Sequence, residues 1–186
     1  DPGIYAMAGL AFEMCRERQN RVMSPVGKNT HRDDNAGLTI EVVPGIPALS
    51  AGAALLGAPL THDFAAISLS DLLTPWETIA RRIEAAAAAD FVVVIYNPRS
   101  RRRTDQLVKA QQILMQHRDG RTPVGIVSRA FRDGQDVRLV ALQDLHTAEV
   151  DMQTTVFVGS SASFRYMDFM VTPRGYAGKY DMKNKK

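Results

Sequence analysis

Arginines crowd one short segment of the sequence, and their type and spacing suit them to binding a charged ligand. Arg99, Arg101, Arg102 and Arg103 fall within five positions, directly after the apolar run 91–96. We expect a helix to begin here, where the positive end of the helix dipole disfavours cations. Their presence therefore favours a bound anion, because the guanidinium fork pairs with carboxylates and phosphates. The alternative is that they only solvate the start of the helix.

Three further arginines, Arg129, Arg132 and Arg174, would extend such a positive surface. The formal net charge of +3 and the isoelectric point near 9.2 also favour an anionic ligand, but they do not distinguish a nucleic acid from a polycarboxylate. Aromatic side chains that stack on bases are not interleaved with these arginines, which argues against single-stranded nucleic acid. We therefore predict no nucleic-acid partner.

Four loops are predicted to form the ligand site, because open α/β sheets bind ligands at the carboxyl ends of their strands. They cover residues 1–5, 44–48, 96–103 and 128–132. Glycine and proline in the first two loops allow the backbone to approach a ligand closely. Each loop taken alone is equally consistent with a tight turn between a strand and a helix, but the four together favour a shared cleft.

Familiar catalytic and metal-binding patterns are missing from the sequence. It has no phosphate-binding P-loop, no complete G-x-G-x-x-G, no C-x-x-C and no H-E-x-x-H. The histidines have no spacing typical of metal ligands, so no metal site is predicted; they are His31, His62, His117 and His146. Asp71 and Tyr96 fall at predicted strand ends, but neither is assigned as an acid or a base, and the catalytic residues stay unknown.

The sequence has no apolar run near the roughly 18 residues that span a bilayer, and no signal peptide opens it. These features predict a cytoplasmic protein with no membrane segment. Residues 1–5 read as a turn that leads into a helix, with no strand before it. We therefore expect residue 1 to be an internal point of a longer natural chain. The polar stretch 19–37 is predicted to be a mobile surface loop, with a functional lid as the alternative.

Strand-like and helix-like segments alternate along the chain, which predicts an α/β fold with a largely parallel sheet. A change near residue 66, from a short α/β segment to a fuller one, predicts two domains, 1–66 and 67–186. One helix has a particularly clear start: Thr74 is expected to be the N-cap, followed by Pro75 at the first helical position and Glu77 three residues after the cap.

Several motifs resemble those of precorrin-3B C17-methyltransferases, a branch of the tetrapyrrole methyltransferase superfamily in cobalamin biosynthesis. The first ten residues, DPGIYAMAGL, resemble the stretch G-D-x-G-x-Y-x-M-A-G-L of that branch without its first glycine. The segments VVPGIPAL (42–49) and LGAPL (56–60) resemble a V-P-G-x-x-A stretch of the wider superfamily. The segments ISLSDLLTPW (67–76), YNPRS (96–100) and TPRGY (172–176) are particular to the C17 branch.

The chain departs from the pattern of this family in two places. The amino-terminal strand of the family and its G-x-G-P-G loop are missing, and residues 23–36 match no family motif. The resemblance therefore implies a two-domain tetrapyrrole methyltransferase fold with a truncated amino-terminal domain, in a protein that forms a homodimer.

The resemblance also implies S-adenosyl-L-methionine as cofactor, bound in the cleft between the domains. The residues that match cofactor positions of the family are Asp1, Gly3, Ile4, Pro47, Ala48, Asn97 and Ala130. Proline at position 47 offers no hydroxyl, so a contact there would involve the main chain only. The arginines expected to hold the carboxylates of a tetrapyrrole substrate are Arg99, Arg101, Arg102, Arg129 and Arg174.

The activity implied is methylation of carbon 17 of precorrin-3B with contraction of the macrocycle. One alternative is another methyltransferase of the superfamily, acting on a different tetrapyrrole or on RNA. The other is a non-catalytic remnant, since part of the cofactor site of the family is missing.

Overall fold

A computed structural model describes residues 1–18, 22–23 and 38–179. Their contacts divide into two compact units, Asp1–Pro47 and Ala48–Lys186. The first unit contains helix α1 (Met7–Glu17) and two short parallel strands, β1 (Val22–Met23) and β2 (Leu38–Thr39). The helix predicted after the opening turn is confirmed. Most of the loop predicted over 19–37 lies outside the described residues.

The second unit holds the remaining elements: α2 (Ala48–Leu56), β3 (Gly57–Ala58), β4 (Phe64–Ser68), α3 (Trp76–Ala88), β5 (Val92–Tyr96), α4 (Gln106–Leu114), β6 (Pro123–Ser128), β7 (Asp136–Ala141), a 3₁₀-helix (Leu142–Thr147), β8 (Thr154–Val158), β9 (Phe164–Tyr166), β10 (Phe169–Val171) and α5 (Tyr176–Lys179). Strands β3, β10 and β9 form a small sheet in that order. The other five strands form the main sheet.

The main sheet has the strand order β4-β5-β8-β6-β7, and only its β4–β5 pair is parallel. The prediction of a largely parallel sheet is therefore wrong. Strand β8 pairs antiparallel with both β5 and β6, and β7 pairs antiparallel with β6. The connections explain this difference. Only a short turn that includes Gly134 joins β6 to β7, and a parallel pair would need a crossover of a dozen or more residues.

The pairing nevertheless gives β4, β5 and β6 the same direction, so their carboxyl ends lie along one side of the sheet. We call this side the carboxyl edge and define it by Ser68, Tyr96, Ser128 and Thr154. Ser68 is in register with Tyr96 on the neighbouring strand. Ser128 is in register with Thr154, and their side-chain oxygens lie 2.7 Å apart. The loops that follow three strands therefore meet at this edge.

Side chains alternate across the main sheet into two apolar clusters, as the period of a strand requires. Val93 and Ile95 of β5 pack with α3 and α4 on one face. Val94, between them, packs with Leu56 of α2 and Phe157 of β8 on the other face. The apolar run 91–96 thus belongs to a strand covered on both faces, which explains why it has no polar alternation.

Helix α2 approaches the sheet closely because glycines face it. A Cβ atom at Gly125 of β6 would lie 2.4 Å from Leu56, and one at Gly52 of α2 would lie 2.6 Å from the Phe157 ring. Because α2 contacts β6 and β8, residues 48–66 group with the larger unit. The predicted boundary at residue 66 falls inside β4, and the assignment of 1–66 and 67–186 as domains stays a prediction.

The start of α3 differs from its prediction by one position. Pro75 occupies the N-cap position with an extended backbone, φ −55° and ψ 143°, and no side chain caps the helix. The Pro75 carbonyl accepts hydrogen bonds from the amides of Thr78 and Ile79, at 3.0 and 3.2 Å. Ile79 and Ile83, one turn apart, are buried and give the helix its apolar face.

Candidate functional site

Asp1 joins two of the predicted ligand loops within the first unit. One oxygen of its carboxylate accepts the Gly3 amide at 2.7 Å, and the other accepts the Gly45 amide at 3.2 Å. A Cβ atom at Gly45 would lie 3.3 Å from the Asp1 backbone, which explains why glycine suits this position. Loops 1–5 and 44–48 are thus adjacent, as the shared-cleft prediction requires of them. Ile4 donates its amide to the Asp1 carbonyl at 3.4 Å.

The predicted cofactor residues Ala48 and Asn97 are brought close together by their chain neighbours. The backbone amide of Leu49 donates a hydrogen bond to the phenol oxygen of Tyr96 at 2.9 Å. Leu49 lies in the first turn of α2, where backbone amides have no partner inside the helix. The Tyr96 side chain therefore ties the start of α2, with Ala48, to the end of β5, with Asn97.

Asn97 has a left-handed backbone, with φ 51°. Asparagine tolerates this conformation better than most residues, so its presence directly after β5 has a local explanation. Its side-chain amide donates to the Ser68 hydroxyl at 2.9 Å, and that hydroxyl also accepts the Ser70 amide at 3.2 Å. These bonds fix the Asn97 side chain against the loop that follows β4.

Ala130 lies between two residues with left-handed backbones, Arg129 at φ 51° and Phe131 at φ 58°. Such conformations cost about 1–3 kcal/mol each and are concentrated at functional sites. The Arg129 amide donates to the Gln153 carbonyl at 3.1 Å, and the Phe131 amide donates to Gln135 Oε1 at 2.8 Å. These bonds hold the small Ala130 side chain at the carboxyl edge.

Ala130 packs on the same apolar cluster as Leu49 and Tyr96. The three predicted cofactor residues of the second unit, Ala48, Asn97 and Ala130, therefore converge at the carboxyl edge, on the face covered by α2. The other four, Asp1, Gly3, Ile4 and Pro47, belong to the first unit. The cofactor role of all seven residues stays a prediction.

The arginine-rich segment does not form the start of a helix. Helix α4 begins at Gln106, and residues 97–105 form an irregular loop before it. The argument from the helix dipole therefore does not apply to these arginines. Arg99, Arg101 and Arg102 are exposed on this loop, beside the carboxyl edge. The case for anion binding therefore rests on two observations: these arginines are exposed, and they lie beside the carboxyl edge.

Of the two remaining predicted arginines, only Arg129 lies at the carboxyl edge. Its Nε donates to Gln153 Oε1 at 2.7 Å, and the residue is exposed. Arg174 donates to the carbonyl of Thr61 at 3.2 Å. Because Thr61 precedes β4, Arg174 lies at the opposite end of that strand from Ser68. The structure therefore groups Arg129 with the arginine-rich loop and does not bring Arg174 to them.

Arg103 is a residue of the site that sequence reasoning did not select. Its side chain is only 14% exposed. One guanidinium nitrogen, Nη1, donates to the carbonyls of Leu69 and Asn97, at 3.0 and 3.2 Å. The only signal in the sequence was its place in the arginine run, where nothing distinguished it from its exposed neighbours.

Asp71 and Tyr96, the two polar side chains noted at strand ends, have structural partners. Asp71 Oδ2 accepts a hydrogen bond from Gln106 Nε2 at 2.8 Å, and Oδ1 lies 3.8 Å from Arg103 Nε. Tyr96 accepts the Leu49 amide as described above. Neither arrangement identifies an acid or a base, so no proton-transferring residue is assigned.

Metal-ligating side chains do not gather anywhere in residues 1–18, 22–23 and 38–179: no three of the His, Cys, Asp and Glu residues there are placed to hold one ion. His31 lies outside the described residues. Within the same part of the chain, no helix is long and apolar enough to cross a membrane.

Comparison with known proteins defines the class of this fold and site. The family model of the tetrapyrrole (corrin/porphyrin) methylases matches residues 1–146. The chain belongs to this family. Its fold is therefore that of a tetrapyrrole methylase.

Three proteins of this family are similar to the chain along nearly all of its length. The chain is 50% identical to the cobalt-factor III methyltransferase of Priestia megaterium, over 98% of this chain and 32% of that protein. It is 43% identical to a probable cobalt-factor III C(17)-methyltransferase of Salmonella typhimurium, over 95% of this chain and 66% of that protein. The crystal structure of the methyltransferase CobJ superposes with a TM-score of 0.77 at 34% identity, over 93% of this chain and 66% of that one.

The chain thus spans 32% and 66% of the lengths of these two curated relatives. The family resemblance predicted from the sequence motifs is confirmed, and so is the tetrapyrrole methyltransferase fold.

Proposed function

We propose that this protein methylates carbon 17 of a precorrin-3B-type tetrapyrrole in cobalamin biosynthesis, with contraction of the macrocycle, and that S-adenosyl-L-methionine donates the methyl group. The observation that carries the proposal is the 43% identity, along 95% of this chain, to a relative named as a C(17)-methyltransferase. The motifs that resemble the C17 branch also favour carbon 17 as the atom that is methylated. The similar proteins are named for cobalt-factor III, which makes that compound the second candidate substrate beside precorrin-3B.

The residues at the carboxyl edge suit a cationic methyl donor. In the transfer, a bond forms between carbon 17 and the methyl carbon while the bond from methyl to sulfur breaks, and the bonding electrons stay on sulfur. The positive charge of the sulfonium disperses during this step, so a protein contributes mainly alignment and exclusion of water. The side chains of Ala48, Asn97 and Ala130 are small and neutral, so these three side chains themselves do not repel the sulfonium.

The same residues can position a ligand precisely, because their backbones are tied by tertiary hydrogen bonds. Tyr96 holds the start of α2 at 2.9 Å, and Ser68 holds the Asn97 side chain, also at 2.9 Å. We propose that these bonds keep the backbone around Ala48 and Asn97 in one geometry for the cofactor. Asp1, Gly3, Ile4 and Pro47 complete the proposed cofactor set, as the resemblance implies.

The exposed arginines near the carboxyl edge suit the other substrate. We propose that Arg99, Arg101, Arg102 and Arg129 pair with carboxylates of the tetrapyrrole, because guanidinium groups bind carboxylates through two parallel hydrogen bonds. Arg174 stays in the proposal on the resemblance alone, since its side chain contacts Thr61.

The proposal has two further parts: that the protein is a homodimer, which the family resemblance implies, and that it acts in the cytoplasm, which the sequence features predict. Neither a nucleic acid nor a membrane is part of the proposed activity.

The proposed activity is tested with the full-length natural protein. We expect it to bind S-adenosylhomocysteine with a dissociation constant in the micromolar range or below, about −8 kcal/mol, and to transfer labelled methyl to precorrin-3B or cobalt-factor III. Titration calorimetry and analysis of the methylated product by mass spectrometry check these results. Absence of heat and of any thermal shift at millimolar ligand would refute the cofactor assignment. Methylation of RNA in place of the tetrapyrrole would favour the other branch of the superfamily.

The arginine-rich loop provides a second prediction. Arg99→Ala and Arg101→Ala should each raise the Michaelis constant for the tetrapyrrole about 10- to 100-fold, because a charged hydrogen bond shielded from water contributes about 1.5–3 kcal/mol. Affinity for S-adenosylhomocysteine should stay at the parental value. Added salt should weaken tetrapyrrole binding less in these variants than in the parent protein. Steady-state kinetics at two ionic strengths measure both effects.

Arg165→Ala is the matched control for these variants. Arg165 is also an exposed arginine, but it lies on β9 in the small sheet. Its replacement should leave the Michaelis constant unchanged. If Arg99→Ala and Arg101→Ala behave like Arg165→Ala, the arginine-rich loop is ordinary surface and does not contact the tetrapyrrole.

A further inference from the structure

Arg103 contacts three loops that meet at the carboxyl edge. Its Nη1 donates to Leu69, directly after β4, and to Asn97, directly after β5, at 3.0 and 3.2 Å. Its Nη2 lies 3.5 Å from the sulfur of Met152, two residues before β8. One side chain thus holds segments that are far apart in the sequence and that come from three adjacent strands of the sheet.

Arg103 is itself held in place through both its backbone and its side chain. Its backbone amide and carbonyl each bond to Ser100, at 3.3 and 3.0 Å, which closes the arginine-rich loop into a turn. Its Nε faces Asp71 Oδ1 at 3.8 Å, while Asp71 Oδ2 accepts the bond from the buried Gln106 at 2.8 Å. The guanidinium is therefore directed inward, toward the backbone carbonyls, and is only 14% exposed.

This environment distinguishes Arg103 from Arg99, Arg101 and Arg102, which are exposed. In this largely buried guanidinium, Nη1 and Nε already face backbone carbonyls and the Asp71 carboxylate. A bidentate pairing with a substrate carboxylate would therefore have to break one of these contacts. What it does hold is the carbonyl of Asn97, in the left-handed backbone next to the Tyr96–Leu49 bond. A change of the Arg103 side chain would therefore act directly on the Asn97 backbone.

We infer that Arg103 is a positioning residue for the cofactor side of the site: it holds the Asn97 backbone in the conformation that S-adenosylmethionine requires, and it does not bind the tetrapyrrole. This inference rests on the proposed function. On this inference, three arginines of the loop face solvent, whereas Arg103 sets the backbone geometry at the end of β5.

The test compares Arg103→Lys with the parent protein at full length. Lysine keeps the positive charge near Asp71, but a single ammonium lacks the planar fork that reaches two carbonyls and the thioether at once. We expect the dissociation constant for S-adenosylhomocysteine to rise about tenfold. At saturating S-adenosylmethionine, the Michaelis constant for the tetrapyrrole should change less than twofold, and its salt dependence should stay parental. The control, Arg165→Lys on β9, should change none of these quantities.

A purely structural role would give a different result: the melting temperature of Arg103→Lys would fall while its folded form kept parental affinity for S-adenosylhomocysteine. That result overturns the inference, and so does a rise in the tetrapyrrole Michaelis constant without a change in cofactor affinity. If Arg103→Lys does not fold, Asp71→Asn replaces it, since this variant removes the charge that faces Arg103 Nε. Its dissociation constant for S-adenosylhomocysteine should rise severalfold, and a parental value overturns the inference. A parent protein that binds no S-adenosylhomocysteine refutes the proposed function instead.

Discussion

Replacing Arg118 with alanine is expected to lower the free energy of unfolding by about 3–5 kcal/mol, because the backbone carbonyls that it binds would each lose a donor at about 1–3 kcal/mol apiece. Only 2% of the Arg118 side chain is exposed, and it lies 3.0 Å from Asp90 Oδ1. Its nitrogens also donate to the carbonyls of Ala87, Phe91 and Gly159, at 2.7, 3.1 and 3.3 Å. Alanine would leave these carbonyls without donors and would open a cavity beneath them. Denaturation by urea, monitored by circular dichroism, measures the loss.

Arg121→Ala is the control for this prediction, because Arg121 pairs with Asp119 but its side chain is 86% exposed. It should leave the unfolding midpoint unchanged, since exposed ion pairs contribute little. Arg118 lies at the end of the sheet opposite the carboxyl edge, beside the start of β5. The folded fraction of Arg118→Ala should therefore keep its affinity for S-adenosylhomocysteine. A loss of stability no larger than that of Arg121→Ala would contradict the assigned role.

The Arg118 pair also predicts a dependence on pH. Partial burial acts to raise the pKa of Asp90, but two hydrogen bonds from Ser161 and the Arg118 charge outweigh it and hold the pKa below its usual value. A lowered pKa means that the stabilisation is fully present above the unfolded pKa of about 3.9 and is lost as pH falls through the folded pKa. Asp90→Asn keeps the left-handed backbone at φ 60°, which asparagine tolerates. The stability difference between parent and Asp90→Asn should therefore shrink as pH falls below about 4.

Ala130→Leu is expected to weaken binding of S-adenosylhomocysteine about 10- to 100-fold while the protein still unfolds cooperatively. If adenine packs on the backbone at Ala130, a larger side chain occupies its space, and overpacking of this kind costs about 1–3 kcal/mol. The backbone on either side is left-handed and is fixed by Gln153 and Gln135, so the loop cannot easily yield. Titration calorimetry gives the affinity, and thermal unfolding confirms that the variant is folded.

Ala130→Ser serves as the matched variant for size, because serine adds one atom where leucine adds three. It should bind S-adenosylhomocysteine within about twofold of the parent. Equal affinity of a folded Ala130→Leu would show that this position lies outside the cofactor pocket. The other predicted cofactor positions would then need separate tests.

The family and the main elements follow directly from the sequence. The apolar run 91–96 is typical of a strand covered on both faces, and β5 (Val92–Tyr96) has side chains in both apolar clusters. This pattern can be read from the sequence because burial on two faces demands apolar side chains at every position, a local requirement. Motifs around Asp1, Asn97 and Arg174 likewise led to the tetrapyrrole methylases, since each motif is short and contiguous.

Other features depended on contacts between distant segments, and no local pattern encodes them. Strand β8 lies antiparallel between β5 and β6. The propensity of a segment to form a strand does not specify which strands it pairs with. Thr74 had the chemistry of an N-cap, yet the extended backbone of Pro75 placed the helix start one residue later. Arg103 and Arg102 are identical in type and adjacent in sequence. Only the fold decides that Arg103 turns inward to the carbonyls of Leu69 and Asn97 while Arg102 faces water, because those carbonyls come from two strands that the tertiary structure brings together.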